Sequence, residues 1–489
     1  MSAGLSPAVD RPGFPGGKGT AAGAGLAGKE GDQDGEEGCE TEADEARHDE
    51  ADHTAHPDWP QLQAWEAHSD GLQAGKGRPD GLQAGKGRPD GLQAGKGRSD
   101  GLQAERVEET LMPPAPAIET LAIVFTADCN LRCRYCYQDR KRPVQISWQA
   151  VSAALDLLER SRRRCERLSF FGGEPLLAFP MIARTVRRVD RRLPRRRRPE
   201  FFLTTNGLLL TPRRLAFLER HRFKVQLSFD GVAPAQDLRF PGSFAVLDRL
   251  LDRLSLRHRA YFRRRVTVAV TLTAPSIPHL ADSFDYLVSK GVEDIAIGPA
   301  MGHPRLSKAQ AGELERQFGR VFSQSLRHYR ATGAVPLSLF RKRAPDARTP
   351  DADEWACSAP PGRNLTVDVD GRVYPCALLI RSCQRVARPA LARRLAAMGL
   401  GSITNTQTLV ERQGAVQAEA GRAGIFGPQR LKGSSLARCA TCRHAGVCFI
   451  CPIAGAKNPD SADANRIPDF QCAFNRIVFD YRRRFPVQD

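Results

Sequence analysis

Apolar and polar positions follow two alternating patterns along the middle of the chain. Between residues 115 and 300, short apolar runs rich in β-branched residues alternate with longer segments whose apolar residues recur every three or four positions. The short runs predict buried strands, and the longer segments predict amphipathic helices. The predicted strands are Leu121–Phe125, Arg167–Phe171, Glu200–Thr204, Lys224–Phe229, Val266–Leu272 and Asp294–Gly298. The predicted helices between them are Ser147–Glu159, Met181–Arg192, Pro212–Arg220, Phe244–Leu256 and Ile277–Lys290. Six such β–α units predict a parallel sheet with helices outside.

The segments on either side of this α/β region have different patterns. Residues 1–110 are rich in Gly, Ala, Asp and Glu, and residues 70–104 repeat Asp-Gly-Leu-Gln-Ala-Gly-Lys-Gly-Arg-Pro with a ten-residue period. Each repeat has too little apolar surface to offset the entropy of ordering the chain, so we predict a disordered arm. Helical spacing at Lys308–Arg330 predicts a helical bridge over 301–349, and residues 350–480 form a cysteine-rich region.

Three cysteines follow the first predicted strand in a C-x3-C-x2-C pattern. They are Cys129, Cys133 and Cys136, with no fourth cysteine nearby. Thiolates hold iron–sulfur clusters, and a four-iron cluster needs four ligands. Three thiolates therefore leave one iron open to bind and activate a small molecule, whereas a structural zinc site would close its tetrahedron with a fourth protein ligand.

This motif, with the aromatic Tyr135 before its last cysteine, resembles the signature of the radical SAM superfamily. The resemblance implies that the open iron binds the amino and carboxylate groups of S-adenosylmethionine, and that Tyr135 lies at the cofactor. An electron from the [4Fe–4S] cluster then cleaves the sulfonium to give a 5′-deoxyadenosyl radical. The resemblance also implies a partial (β/α)6 barrel, which agrees with the six predicted units, and an external electron donor such as a flavodoxin or ferredoxin.

Polar and glycine motifs follow the later strands of the predicted barrel. Phe171-Gly-Gly-Glu-Pro175 matches the GGEP motif of the same family, which implies that Gly172, Gly173 and Glu174 hold the methionyl amino group. Two further motifs, Thr204-Thr-Asn-Gly207 and Ser228-Phe-Asp-Gly231, match positions common in the superfamily. They predict that Asn206, Ser228 and Asp230 line the ribose and carboxylate side of the cofactor. The alternative is local turn chemistry, because Asn-Gly and Asp-Gly are strong turn dipeptides.

The remaining cysteines concentrate near the C-terminus. Val367–Val369 and Arg372–Tyr374 flank Asp370-Gly371 and predict a hairpin that brings Cys357 and Cys376 toward one site. The pattern resembles the SPASM domain, a small α+β domain that holds two auxiliary clusters. This resemblance assigns the outer cluster to Cys439, Cys442, Cys448 and Cys472, and the inner cluster to Cys357, Cys376 and Cys451.

Two departures from the SPASM pattern affect this assignment. Cys448 and Cys451 are spaced C-x2-C where the family usually has C-x3-C, so the division between the clusters stays open. No cysteine lies in Thr349–Ala356 to complete the inner cluster, so either Cys383 substitutes or one iron stays open. One or two zinc sites are the alternative for the paired cysteines. Cys39 and Cys165, the latter placed on a helix face, are predicted to take no part.

The charge distribution and the cysteine content limit which partners and which cellular compartment we expect. Residues 1–110 carry 11 Lys/Arg against 22 Asp/Glu, and the rest of the chain carries 62 against 33. The Arg clusters lack interleaved aromatics, which disfavours nucleic acid as a partner. Thirteen cysteines, several of them in C-x2-C pairs, favour metal binding in a reducing compartment over disulfides. With no signal peptide or membrane-length apolar run, we expect a cytoplasmic protein without membrane contact.

These observations predict a radical SAM/SPASM enzyme that abstracts hydrogen from a peptide or protein. Anaerobic sulfatase maturases, the nearest named subgroup, carry an aspartate base directly after the cysteine that corresponds to Cys376. This chain has Ala377 there, and alanine cannot act as a base. We therefore expect a maturase of a ribosomally made peptide, with a sulfatase maturase as one alternative. A non-catalytic iron–sulfur electron carrier and an RNA-modifying radical enzyme are the others.

Overall fold

The computed structural model describes most of the chain from residue 117 onward. The described residues are 117–138, 141–302, 305–341, 362–383, 393, 396–423, 441–444, 448, 451 and 469–486. The predicted N-terminal arm, Cys39, Cys357 and Cys439 lie outside them. All of the described segments belong to one compact unit.

Nine strands form one open sheet in the order β6-β5-β4-β3-β2-β1-β7-β8-β9. All neighbouring pairs from β6 across to β7 are parallel, while β7–β8 and β8–β9 are antiparallel. The sheet does not close, which confirms the expected partial barrel. The strands are β1 (Thr120–Thr126), β2 (Arg167–Gly172), β3 (Glu200–Thr205), β4 (Lys224–Ser228), β5 (Val266–Leu272), β6 (Ile295–Pro299), β7 (Asn364–Val367), β8 (Arg372–Tyr374) and β9 (Gly401–Ser402).

Ten α-helices connect and cover the strands in the described part of the chain. They are α1 (Trp148–Arg160), α2 (Phe179–Arg192), α3 (Pro212–Arg220), α4 (Ala233–Arg239), α5 (Phe244–Arg257), α6 (Arg259–Arg265), α7 (Leu280–Ser289), α8 (Lys308–Thr332), α9 (Thr406–Ala423) and α10 (Asp469–Arg484). Each predicted strand and helix of the α/β region has a counterpart within a few residues. The exception is the first part of Ile277–Lys290, where Ala274–His279 is a 3-10 turn.

The two faces of the sheet differ in polarity. In β5 the residues Val266, Val268, Val270 and Leu272 are buried, and the residues between them are partly exposed. Alternation of this kind places one face under the helices and the other toward an open interior. The interior face carries small or polar side chains that border a cavity. Those residues are Thr204, Gln226, Ser228, Ala269, Thr271 and Ala296.

The predicted C-terminal hairpin continues the barrel sheet. β7 pairs in parallel with β1, in a register that places Leu121 beside Leu365, and Thr120 Oγ1 donates to Asn364 Oδ1 at 2.6 Å. The turn between β7 and β8 closes with Gly371 N donating to Asp368 O at 2.9 Å, and Gly371 has φ +78°. Glycine suits this turn because other residues rarely adopt that backbone conformation.

α8 joins the C-terminal helix to the barrel helices. Ala281 N at the start of α7 donates to Gln317 Oε1 of α8 at 3.0 Å. On its other side α8 packs against α10, with Phe318 and Phe474 in edge-to-face contact at 5.4 Å. Because aromatic side chains bury large apolar areas, this packing fixes α10 firmly. α10 carries Cys472, so the packing also fixes the position of that cysteine.

One prediction about a cysteine is wrong. Cys165 was expected on a helix face, but α1 ends at Arg160 and Cys165 lies in the segment that leads into β2. Ser161 ends the helix in an extended conformation, and its hydroxyl accepts from Ile118 N at 3.1 Å. The Cys165 thiol is buried and donates to Arg167 O at 3.2 Å.

Candidate active site

A cavity of about 390 Å³ opens at the carboxyl ends of the parallel strands. Barrel enzymes bind their ligands at this end of the sheet. The structure brings eight of the ten predicted barrel-site residues to the cavity wall, while Glu174 and Asp230 lie behind it. The eight are Cys129, Cys133, Tyr135, Cys136, Gly172, Gly173, Asn206 and Ser228. The end of β6, at Ile297, Gly298 and Pro299, forms the opposite wall.

The cysteine loop is held by hydrogen bonds from its own flanks. Thr126 Oγ1 accepts from Asp128 N at 3.0 Å, and Asp128 Oδ1 accepts from Cys129 N at 2.8 Å. Leu131 N donates to Cys129 Sγ at 3.4 Å. An N–H directed at sulfur stabilises a thiolate, whereas burial raises the pKa of the Cys129 thiol. Cys133 and Cys136 are half-buried.

The two glycines after β2 allow the cysteine loop to approach. Gly173 N donates to Thr126 O at 2.9 Å, and Glu174 N donates to Asp128 O at 2.8 Å. A Cβ atom at Gly173 would lie 2.1 Å from Asp128 O, inside any permitted contact. Glycine is required at this position because the backbone of the cysteine loop passes directly over it.

Both oxygens of the Glu174 carboxylate accept hydrogen bonds from neighbouring groups of the protein. It accepts from Thr205 Oγ1 and Asn206 N, both at 2.8 Å, and from Leu176 N at 3.1 Å. Burial raises its pKa to about 7, and these three donors oppose the rise. Glu174 therefore connects the turn after β2 with the end of β3. Contact between Glu174 and the methionyl amino group stays a prediction.

Asn206 connects β3 with the cysteine loop. Its Nδ2 donates to Asn130 Oδ1 at 2.8 Å and lies 3.9 Å from Cys129 Sγ. Its own Oδ1 accepts from Leu208 N at 3.1 Å, which is the turn chemistry that an Asn-Gly pair favours. One end of the Asn206 side chain therefore lies in the turn and the other lies beside the first cysteine, and its contact with the cofactor stays a prediction.

Behind Tyr135 lies a buried polar group that the sequence only partly revealed. The Tyr135 hydroxyl donates to Asp230, which also accepts from Thr271 N at 2.8 Å. Arg239 pairs with Asp230 at 3.4 Å and lies 5.7 Å from the centroid of the Tyr135 ring. Burial raises the pKa of Asp230, and the Arg239 charge opposes that rise. Arg239 was not predicted because it ends the short helix α4, which has no clear apolar periodicity.

A second group of cysteines lies near the first across Tyr137. Burial raises the pKa of Tyr137 above its usual range, and the thiols of Cys383, Cys136 and Cys376 raise it further. Tyr137 also lines the cavity. The cysteine loop and the segment after β8 are therefore neighbours in space. Cys376 resembles Cys129 locally, since Leu378 N donates to Cys376 Sγ at 3.4 Å.

Two of the later cysteines of the described chain, Cys448 and Cys472, lie at α10. Asn475 Nδ2 of this helix donates to Cys448 Sγ at 3.5 Å, and Cys472 lies one turn earlier. His444 was not singled out from the sequence. It is buried beside Phe479, and its Nε2 lies 2.9 Å from Asp480 Oδ1. Cys442, Cys448, Cys451 and Cys472 are all half-buried.

Comparison with known proteins agrees with this geometry. Residues 123–287 match the family model described as the radical SAM superfamily. This similarity extends over most of the α/β region, from β1 to α7. The chain is 26% identical over 179 residues to an uncharacterised protein of Methanocaldococcus jannaschii, covering 36% of this chain and 60% of that protein. It is 27% identical over 280 residues to a serine-type anaerobic sulfatase-maturating enzyme of Klebsiella aerogenes, covering 53% and 66%. The chain thus spans less than two thirds of each of these relatives.

A solved structure of native anSMEcpe with bound AdoMet and the Cp18Cys peptide shares the fold. The TM-score is 0.56 at 17% identity, covering 75% of this chain and 96% of that one. The open, mainly parallel sheet of the α/β fold expected from the sequence is thereby confirmed.

Similarity to this superfamily implies a [4Fe–4S] cluster and S-adenosylmethionine, and the donor set fits both. Three thiols border the cavity, with an N–H directed at one of them. Within the described ranges, no three His, Cys, Asp or Glu side chains converge closely enough to hold one metal ion. A four-iron cluster is larger, and each of its thiolates binds a different iron, so its ligands need not converge on one point.

Proposed function

We propose that this protein is a radical SAM/SPASM enzyme that abstracts hydrogen from a peptide or protein substrate and matures a ribosomally made peptide. The observation that carries the proposal is the position of Cys129, Cys133 and Cys136 at one wall of a cavity whose remaining walls are the carboxyl ends of the strands. Bound together, a cluster and S-adenosylmethionine supply a 5′-deoxyadenosyl radical. The protein supplies the position of each partner.

Each site residue has a defined part in this positioning. The three cysteines hold the cluster, and Gly172 and Gly173 let the cysteine loop lie close against the end of β2, beside the methionyl end of the cofactor. Asn206 restrains the first cysteine through Asn130. Asp230 and Arg239 hold the Tyr135 ring against the cavity. Ser228 presents a hydroxyl at the end of β4, within reach of the cofactor's ribose or carboxylate.

The shape of the cavity supports a substrate that reaches in from outside. Its volume of about 390 Å³ lies at the lower end of the range of small-molecule sites. A cofactor fills much of such a space, so we infer that one side chain of a peptide enters, and not a whole folded domain. The Klebsiella aerogenes relative is named for maturing sulfatases, which are proteins. This supports a protein or peptide as the substrate class here.

A sulfatase maturase is the second candidate, because that relative carries this activity in its name. Ala377 argues against it. This residue begins the 3-10 turn Ala377–Leu379 directly after Cys376. Its methyl group cannot remove a proton, whereas the resembled maturases have an aspartate at this position. Incubation with a sulfatase peptide that contains the target Cys or Ser is expected to give no formylglycine. Formation of formylglycine would instead favour a sulfatase maturase.

The central test is formation of 5′-deoxyadenosine. The anaerobically reconstituted protein, given dithionite and S-adenosylmethionine, is expected to release it. The Cys133→Ala variant is expected to release none, and Cys165→Ala, which changes a buried thiol remote from the cavity, is expected to match the unmodified protein. No product from the fully reconstituted protein would instead favour a non-catalytic iron–sulfur electron carrier.

The proposal extends to partners and compartment. The cluster needs an external one-electron donor, and we propose a flavodoxin or ferredoxin. We also propose that the protein works in the cytoplasm, where cluster cysteines stay reduced. None of the described cysteines is in a disulfide. Among the helices of the described chain, none is both long and apolar enough to span a bilayer.

A further inference from the structure

The cysteine loop after β1 has an inner and an outer face. Leu131, Cys133 and Tyr135 line the cavity. Arg132 and Arg134, which alternate with them along the chain, are exposed and are absent from the cavity wall. The Arg132 side chain is 65% exposed. The loop therefore presents a thiol to the cavity and guanidinium groups to solvent.

The chain returns beside this loop and adds two residues to the outer face. Lys141 Nζ donates to Leu131 O at 2.6 Å. Arg142 N donates to Ala127 O at 3.1 Å, and Ala127 N donates to Val144 O at 2.9 Å. These bonds fix the return segment against the start of the loop. Arg142 and Val144 are exposed and, like the two loop arginines, do not border the cavity.

We call Arg132, Arg134, Arg142 and Val144 the loop face. Of its three arginines, only Arg132 pairs with a carboxylate of the described chain, that of Asp128 at 3.9 Å. Val144 is 40% exposed, and only one other large apolar side chain of the described chain is exposed. A lone exposed apolar residue indicates nothing, but arginines around an apolar residue are typical of protein interfaces. Their excess positive charge favours an acidic partner.

The proposed function requires an electron that enters from outside the cavity. The cavity holds the cofactor and a substrate side chain, so its mouth is not free for a protein donor. The loop face lies on the other side of the segment that carries the three cysteines. A protein docked there comes close to the cluster without entering the cavity. Electron-transfer complexes are often small and weak, so a patch of a few residues is sufficient.

We propose that the loop face is the docking surface for an acidic one-electron carrier protein. This inference rests on the proposed function. The carrier gives one electron to the cluster and is itself oxidised by one electron. Because the carrier binds outside and the substrate binds inside, the two do not compete for one surface. The other basic surface beside cysteines is a groove along α10, where Arg476 and Arg483 lie together with Glu315 and Asp480.

The test reverses two charges of the loop face in the reconstituted full-length protein, as Arg134→Glu/Arg142→Glu, and uses an acidic flavodoxin as the probe. One measurement is the affinity for oxidised flavodoxin, and the other is 5′-deoxyadenosine formation driven by reduced flavodoxin without any peptide. Both are expected to fall by about tenfold or more at low salt. The difference should shrink as salt rises to about 0.5 M, because added ions screen exposed charges. With dithionite, a small reductant that needs no docking surface, the variant should match the unmodified protein.

Arg476→Glu/Arg483→Glu is the matched control, because it makes the same change of charge on exposed arginines beside the C-terminal cysteines. It should keep the affinity for flavodoxin, as should Arg134→Lys/Arg142→Lys, which preserves the charge. Unchanged affinity in Arg134→Glu/Arg142→Glu would overturn the assignment, as would an equal or larger loss in the control. If the unmodified protein forms no 5′-deoxyadenosine with dithionite, the proposed function fails. The affinity measurement still tests the docking surface in that case, so the two failures are distinguishable.

Discussion

The hydroxyl of Tyr135 donates a hydrogen bond to the carboxylate of Asp230, and this contact joins two segments 95 residues apart. One partner belongs to the cysteine loop after β1, and the other lies just past the end of β4. Asp230 is 3% exposed. The orientation of the aromatic ring in the cluster motif is therefore set by the segment that follows β4. Loss of that carboxylate should therefore disturb both the cysteine loop and the segment after β4.

Replacing Asp230 with alanine should destabilise the protein strongly. The substitution leaves the Arg239 guanidinium buried without its ionic partner, which typically costs about 3–5 kcal/mol. The expected result is a fall of that size in the free energy of unfolding, measured by urea denaturation. Asp282→Ala is the control, because its pair with Arg320 is exposed and is expected to contribute less than about 1 kcal/mol. Equal losses in the two variants would contradict the role assigned to Asp230.

Replacing Gly173 with alanine should displace the cysteine loop. The added methyl group would overlap Asp128 O at 2.1 Å, and relief of such overlap typically costs about 1–3 kcal/mol. The reconstituted variant is expected to lose about four irons, those of the first cluster, together with 5′-deoxyadenosine formation. Gly298→Ala is the matched control, because a Cβ there meets no atom within 4 Å. It should keep its iron, and a Gly173→Ala protein with full iron content would refute the close-approach argument.

The raised pKa of Glu174 predicts that the stability of the folded protein depends on pH. Its pKa is about 7 in the folded protein, against 4.5 for an ordinary glutamate. Between these values the folded state holds a proton that the unfolded state releases, so stability falls as pH rises. The contribution is fully present below pH 4.5, and about 3 kcal/mol is lost by pH 7.5.

The Glu174→Gln variant should lack this component. Its loss of a hydrogen bond to Asn206 N lowers stability by a constant amount, but the profile between pH 5 and 7.5 should be flatter than that of the unmodified protein. Urea denaturation of both proteins across this range is the measurement. Two parallel profiles would show that Glu174 titrates alike in the folded and unfolded states.

Local pattern was sufficient to predict most of the α/β region, because its strands and helices are long and periodic. The local pattern did not predict α4, which has only seven residues and a proline near its start. Arg239, the last residue of α4, was therefore not predicted either. Cys165 was misplaced because apolar spacing does not show where a helix stops, and a serine hydroxyl bond decides this. The cysteine motifs were visible because ligand chemistry restricts residue type and spacing more tightly than packing does.

The pairing of strands that are distant along the chain also could not be predicted from the sequence. The hairpin at Asp370-Gly371 was predicted from its turn residues, but its partner strand was not. The contact of Thr120 with Asn364 spans 244 residues. A strand's pattern records which face is buried, and it contains no information about which neighbour supplies the hydrogen bonds.

The pairing of β7 with β1 determines how this protein can be divided. β1 is an interior strand with β2 on one side and β7 on the other. Removing everything after residue 341 would expose the hydrogen-bonding edge of a strand whose Leu121, Ile123 and Phe125 are fully buried. An apolar edge of that kind recruits other chains. A truncated barrel is thus expected to aggregate during expression, and the cysteine-rich region should be treated as an inseparable part of the catalytic core.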